Sequence, residues 1–246
     1  MAGDVVKTMY GDVIPAHSIY EESVSAKHRF GDRIKVGERV FHYFKNGAVA
    51  LAAGKLVQGA VPLPNHRNRT VAATVAIGAM KVSVGMGATT AALNYYSEGW
   101  LHCNDETPEG NIYKVKSHLA IAGSDTVWFN LFDPVVAAMT ASTSEVTLTK
   151  NLYDSVIIAP NGGLTAAPVG VPIIAITASY YGWIQTWGTC AVLTQGTVVI
   201  GQKVGLGGTA DGAIGPIAAY TTVQVGTVMQ VNASGDYSLI NLTLQA

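Results

Sequence analysis

The chain has 246 residues, of which 49% are hydrophobic and only 13% charged, with a formal net charge of −1. That length suits one large β domain or two smaller ones. A near-neutral balance excludes a general electrostatic pull on nucleic acid or on an anionic membrane surface. The charged fraction is about half that of an ordinary soluble domain, which predicts a surface partly covered by a partner.

Residues 1–30 are polar and irregular, contain Pro15, and show no strand or helix period. They read as an extended N-terminal arm that wraps a neighbour, or as a loosely ordered terminus, with one helical turn near His17–Val24 and no part in folding. The stretch from Met1 to Tyr10 carries Asp4 and Lys7 and lacks the apolar segment of a secretory leader. The longest apolar run, Val71–Met80, ends at Lys81, short of the ~18 residues a membrane helix needs.

From residue 31 the pattern becomes short strands with turn punctuation. Arg39–Phe44 is followed by the turn pair Asn46-Gly47. Val71–Ile77 and Lys81–Val84 are β-branched runs interrupted by glycine. Gly99–Cys103 reads as a strand, Asn104–Gly110 as a polar turn, and Ile112–His118 alternates apolar and polar residues. Thr126–Phe132 and Ser144–Thr149 follow. Ala88–Tyr96 and Val135–Met139 are the two candidates for short helices. The glycines and prolines between Asn161 and Pro172 suggest a loop or a change of subdomain. Beyond them come Ile173–Thr177, Tyr180–Trp187, Ala191–Leu193, Thr197–Ile200, Val223–Val231 and Tyr237–Leu244, the last two joined by the hairpin-type turn Asn232–Asp236. The expected fold is mainly β, an antiparallel sandwich or barrel with few short helices. The expected division is an arm over 1–30, a β-rich domain over 31–160, and over 161–246 either a second β domain or the other half of the first.

Chemistry-bearing patterns are sparse. His102, Cys103, Asp105 and His118 are close in sequence, but adjacent strand residues face opposite ways, so His102 and Cys103 cannot join one zinc site. The sequence holds no nucleophile elbow, and the apolar context of Cys190 raises its thiol pKa. Gly85-Met86-Gly87 and Gly205–Gly208 lack the lysine and hydroxyl residue of a phosphate loop. Catalytic residues, cofactor and metal are therefore not expected. Two aromatic clusters stand out: Tyr95, Tyr96 and Trp100, and Tyr180, Tyr181, Trp183 and Trp187. Each reads as core or as interface, since such rings bury large areas and keep a polar end. An exposed pair such as Trp183 and Trp187 would also suit stacking on sugar rings.

The segment Tyr180–Leu193 resembles a stretch of tailed-bacteriophage head proteins. So do Ser97–Asp105 with Gly110–His118, and Gly196–Val204 with Asp211–Ile214 and the closing pair of strands. Together these cover residues 90–246, and the chain is similar to capsid decoration (cement) proteins. The resemblance implies a non-enzymatic virion protein on the outer capsid surface, bound to the major capsid protein and to itself as a homotrimer, with no nucleic-acid or membrane partner. Other phage structural parts and a carbohydrate-binding β-sandwich module are the alternatives.

Overall fold

Side-chain period decides most of the strands. The alternating run at 112–118 becomes a strand because it presents one apolar face to a core, and the aromatic, β-branched run after residue 39 becomes a strand buried on both faces. The computed structural model describes residues 7–9, 12–14, 17–217 and 222–245. Strands of the first segment are β1 (Lys7–Met9), β2 (Asp12–Ile14), β3 (Arg33–Val36), β4 (Arg39–Lys45) and β5 (Val57–Gln58). The middle segment holds β6 (Arg69–Thr70), β7 (Lys81–Gly85), β8 (Trp100–Asp105), β9 (Ile112–His118), β10 (Thr126–Leu131) and β11 (Glu145–Thr149). The last holds β12 (Ile157–Ile158), β13 (Pro168–Pro172), β14 (Tyr181–Leu193), β15 (Lys203–Leu206), β16 (Ile214–Pro216), β17 (Gln224–Gln230) and β18 (Tyr237–Thr243). The fold is mainly β with antiparallel sheets.

The chain forms two compact units, one from residues 1–60 with 152–246 and the other from residues 61–151. These run along other lines than the division at residue 160. The first half of the Gly- and Pro-rich stretch, residues 161–167, is the expected loop, but its second half is a strand, β13, in which Val169 and Val171 are buried. It pairs with β5 and β14, and its two prolines stand at the strand ends, where a missing donor is tolerated.

In the unit of residues 61–151 the strand order is β6-β11-β8-β9-β10-β7. Val71 bridges Val84, and Ala72 N donates to Ser83 O at 2.8 Å. These bonds bring the two edges together and nearly close a barrel, leaving little free strand edge. Its interior is filled by Tyr96, Leu101, Phe129, Leu131 and Met139. Both helices expected here are absent. Ala88–Tyr96 forms successive turns, and Val135–Met139 crosses as a loop. Ala91 and Met139 are instead drawn into the core by bridges to Ile121 and Val75, a tertiary demand that outweighs local propensity. Val71–Ile77 likewise makes only isolated bridges, at Val71 and Val75.

In the other unit β14 is the organising strand. Its first half pairs with β4 and β13, and from Trp187 it pairs with β18. One core gathers Phe44, Ile176 and Ile184; a second gathers Val192, Ile240 and Leu242. The stretch from His17 to Phe30, expected within a free arm, is bound to this unit. Ser23 and Tyr181 exchange backbone hydrogen bonds of 2.9 and 2.8 Å, and Ile19 is buried with Phe41, Tyr43 and Trp183. Burying Ile19 and Trp183 together removes apolar surface from water, which a detached arm could not do. Earlier in the chain β1 and β2 pair with each other, and the rest of the expected arm lies outside the described residues. The run Thr197–Ile200 makes no strand; the strand falls a few residues later, at β15.

Candidate functional site

Of the aromatic residues read as core or as interface, two lie in the core. Trp183 is 1% exposed, and its Nε1 donates to His17 O at 3.1 Å. Tyr96 is equally buried and packs edge-on against Tyr95. Neither offers surface to a partner. Trp187 and Trp100 are both 36% exposed, and Tyr95, Tyr180 and Tyr181 are half-buried. The tryptophans of β14 do not form a stacking pair. Trp183 stands opposite Tyr43, but an irregularity between Gln185 and Trp187 sets Trp187 opposite Val40. Tyr43 and Val40 are an odd number of residues apart, so the extra residue breaks the alternation and sends the two rings to different faces.

The buried histidines of the barrel unit form a closed hydrogen-bond network. His66 Nε2 lies 2.8 Å from Thr89 O, a pure acceptor, so it carries the proton; Nδ1 then accepts from the Tyr96 hydroxyl at 2.5 Å. His118 repeats the arrangement: Nδ1 donates to Leu119 O, and Nε2 accepts from Tyr96 N at 2.9 Å. Both rings are neutral, and burial lowers both pKa values. With every ring nitrogen engaged, neither acts as a free base or a metal ligand.

His118 therefore stands apart from His102, which sits opposite Thr147 on β11, while Cys103 points into the core. Burial pushes the Cys103 thiol up to about 11 and that of Cys190 to about 12, so both stay protonated and unreactive at neutral pH. Among the described residues no three His, Cys, Asp or Glu side chains come together as a metal-ion group.

Two surfaces do stand out. The first is the outside of the barrel. Along β10 the side chains alternate, with Val127, Phe129 and Leu131 inward and Trp128 outward. Lys81 Nζ lies 4.5 Å from the Trp128 ring centre. Trp100 stands opposite Lys114, whose Nζ lies 5.8 Å from its ring, and Phe132 N bonds Lys114 O at 2.9 Å and extends the row. Ile112 is 56% exposed, and Trp128 and Phe132 are each 45% exposed.

The second surface is a groove of about 370 Å³ over β14 and β18, lined by Tyr20, Arg39, Gly54, Gln185, Thr189, Tyr237 and Leu239 among others. A second hollow of about 430 Å³ shares Arg39 and Thr189 with it and includes Glu38. Two glycines shape the walls. At Gly54, φ is +72° and a Cβ would meet Tyr237 Cε1 at 2.5 Å, so only glycine lets that ring come up against the backbone. At Gly188, φ is +83° and a Cβ would meet Glu38 O at 2.5 Å, so glycine brings β14 up to the start of β4 and sets the position of Arg39. Gln185 is fully buried. Its Nε2 donates to Trp187 O at 3.0 Å and Thr189 O at 2.9 Å, which fixes the amide and leaves Oε1 buried without a partner. Sequence reasoning passed over this groove: its residues are scattered from 20 to 239 and only the fold collects them.

No protein-family model, curated protein or solved structure matches this chain.

Proposed function

We propose that the chain is a non-enzymatic structural protein that binds the outer surface of a tailed-phage capsid as a homo-oligomer and stabilises the shell. The observation that carries this reading is the outside of the barrel unit, where Trp100, Ile112 and Trp128 stand partly exposed on the neighbouring strands β8, β9 and β10, with Phe132 just past the end of β10. Single exposed apolar residues are ordinary, but several large ones spread over the outside of three adjacent strands suit a surface that another protein covers. The flanking Lys81 and Lys114 keep the face soluble before assembly and meet the aromatic rings through their charge. The low content of charged residues fits the same reading. On a lattice, modest contacts repeated in every copy give strong retention through multivalency.

The test is the copy number of the chain in purified particles, measured by quantitative mass spectrometry against the main shell protein. Hundreds of copies in a simple ratio to the shell protein are expected. A handful of copies indicates a tail or vertex part, and absence from the particle overturns the reading. A particle-binding variant, Trp128→Glu, should fold normally and lose at least about tenfold in retention, because a carboxylate would be buried in the contact.

A further inference from the structure

We propose that residues 17–30 are an acid-released strap, held down on β4 and β14 while the His17 ring is neutral and let go when that ring takes up a proton. The ring is buried, and neither Nδ1 nor Nε2 has a hydrogen-bond partner. It meets Tyr43 edge-on with ring centres 5.8 Å apart and lies beside His28 at 6.1 Å. His28 in turn meets Tyr43 and Trp183, each at 5.0 Å, and its Nε2 is also buried without a partner. Such a pocket costs a neutral imidazole its hydrogen bonds and costs an imidazolium far more, because a buried ion needs a counter-charge or strong donors and acceptors around it. The counter-charge is not built in. Glu21 favours the proton on His17, but its Oε2 already accepts from Ser18 N at 3.2 Å, and His28 and Lys27 oppose the proton. The strands beneath, β3, β4 and β14, contain no Asp or Glu. Their titratable groups on this side are Tyr43, whose hydroxyl accepts from Lys27 N at 2.9 Å, and Tyr181, which stacks on Tyr43. Of their cations, Arg39 lies over Phe41 and Lys45 over Tyr181, while Arg33 and Lys35 pair with His42 and Val40 on the opposite face of the sheet.

The strap can leave without dismantling what lies under it. Its buried side chains are His17 and Ile19 alone; Tyr20 and Val24 are exposed. The remaining ties are the Ser23–Tyr181 pair of backbone bonds, Lys27 N to the Tyr43 hydroxyl, Trp183 Nε1 to His17 O, and the Glu22 carboxylate to Thr177. β4 and β14 pair with each other directly, so their ladder does not depend on the strap. The strap joins the sheet at Gly31, whose φ of +81° turns the chain and whose N bonds Tyr43 O. Release bares Phe41, Tyr43 and Trp183, three rings that are fully buried while it is down. Burial, first among the causes, lowers the His17 pKa, whereas in the open strap the ring titrates near the unperturbed value of about 6.5. Docking is therefore at full strength above about pH 6.5 and weakens below it, by at most about tenfold per pH unit. This inference does not rest on the attachment reading, since the strap and the barrel unit are separate parts of the chain.

Amide hydrogen exchange of the full chain is followed by NMR at pH 7.5 and pH 5.5 and expressed as protection factors, which removes the pH dependence of the chemical step. The lower value stays above the ordinary carboxylate range. The Ser23, Lys27 and Tyr181 amides and the Trp183 indole N–H should lose about fivefold in protection on acidification, and at pH 5.5 they should exchange faster than the β14–β18 ladder from Trp187 to Leu193. His17→Leu, which puts an apolar side chain where a polar one has no partner, should keep the strap protected at pH 7.5 and abolish the loss at pH 5.5. His17→Phe, with a flat ring to set beside Tyr43, takes its place if the leucine variant lacks strap protection at pH 7.5. Unchanged strap protection in the native chain overturns the proposal. So does a loss of the same size in the His17 variant, or equal protection of strap and ladder at pH 5.5, which would mean that the strap leaves only when the whole unit unfolds. Particle attachment is read separately from copy number, so the two readings fail independently.

Discussion

The Tyr96 hydroxyl donates to His66 Nδ1 at 2.5 Å inside the core of the barrel unit. Burial pushes the phenol pKa up, so it remains a donor throughout the physiological range. The bond sets the His66 tautomer, and through it the bond from Nε2 to Thr89 O. Tyr96→Phe keeps the ring packing against Tyr95 and Phe129 but leaves Nδ1 buried without a donor. Denaturant unfolding should show a loss of about 1–3 kcal/mol, since an unsatisfied buried acceptor costs its full desolvation. A change within experimental error would mean that His66 changes tautomer or turns to another partner.

Acid should unfold the protein through its histidines. Burial first, and then the positive Arg33, lower the pKa of His42 to about 4. Burial is also the leading cause for His17, His66 and His118, all lowered from 6.5. The unfolded chain titrates near the unperturbed value of about 6.5, so between there and about 4 it binds more protons than the folded chain. Stability is then fully present above about pH 6.5 and falls as pH drops through that window. Thr186 Oγ1 donates to Gln245 O, so it accepts from His42 Nδ1. Melting temperature recorded from pH 7 to 4 should decline steadily, and His42→Gln should flatten the decline by about one proton. A flat profile in the native chain would overturn the assignment.

The parts of the fold that were legible in the sequence are those that obey a local period. Ile112–His118 is a strand over the expected residues, and the Asn232–Asp236 turn joins the antiparallel pair β17 and β18. The misread parts are those where a distant partner decides. Val169 and Val171 belong to a strand because β5 and β14 are there to pair with, while the local glycines and prolines suggest a loop. Met139 and Ala91 are apolar at helix-like spacing, yet they serve as isolated anchors of loops on the barrel core. The groove was invisible for the same reason. Gln185 reads as an ordinary polar strand residue until β14 is seen to bend at the next position and trap its amide between two carbonyls of its own strand.

The same bend separates Trp183 from Trp187, two residues of one type in one strand with opposite environments. Trp183 contacts His28 and Tyr43 with ring centres 5.0 and 5.2 Å away, and it holds the His17 carbonyl. Trp183→Ala removes that packing and opens a cavity, for a loss of about 3–5 kcal/mol. Trp183→Phe keeps much of the volume but loses the bond to His17 O, so it should fall between the alanine variant and the native chain. The stretch from His17 to Ser23 depends on the same cluster, so hydrogen exchange there should quicken in both variants. Trp187→Ala acts on a half-exposed ring and should stay within about 1 kcal/mol of the native chain. Equal losses at the two positions would mean that the strand runs without its irregularity and that both rings share one environment.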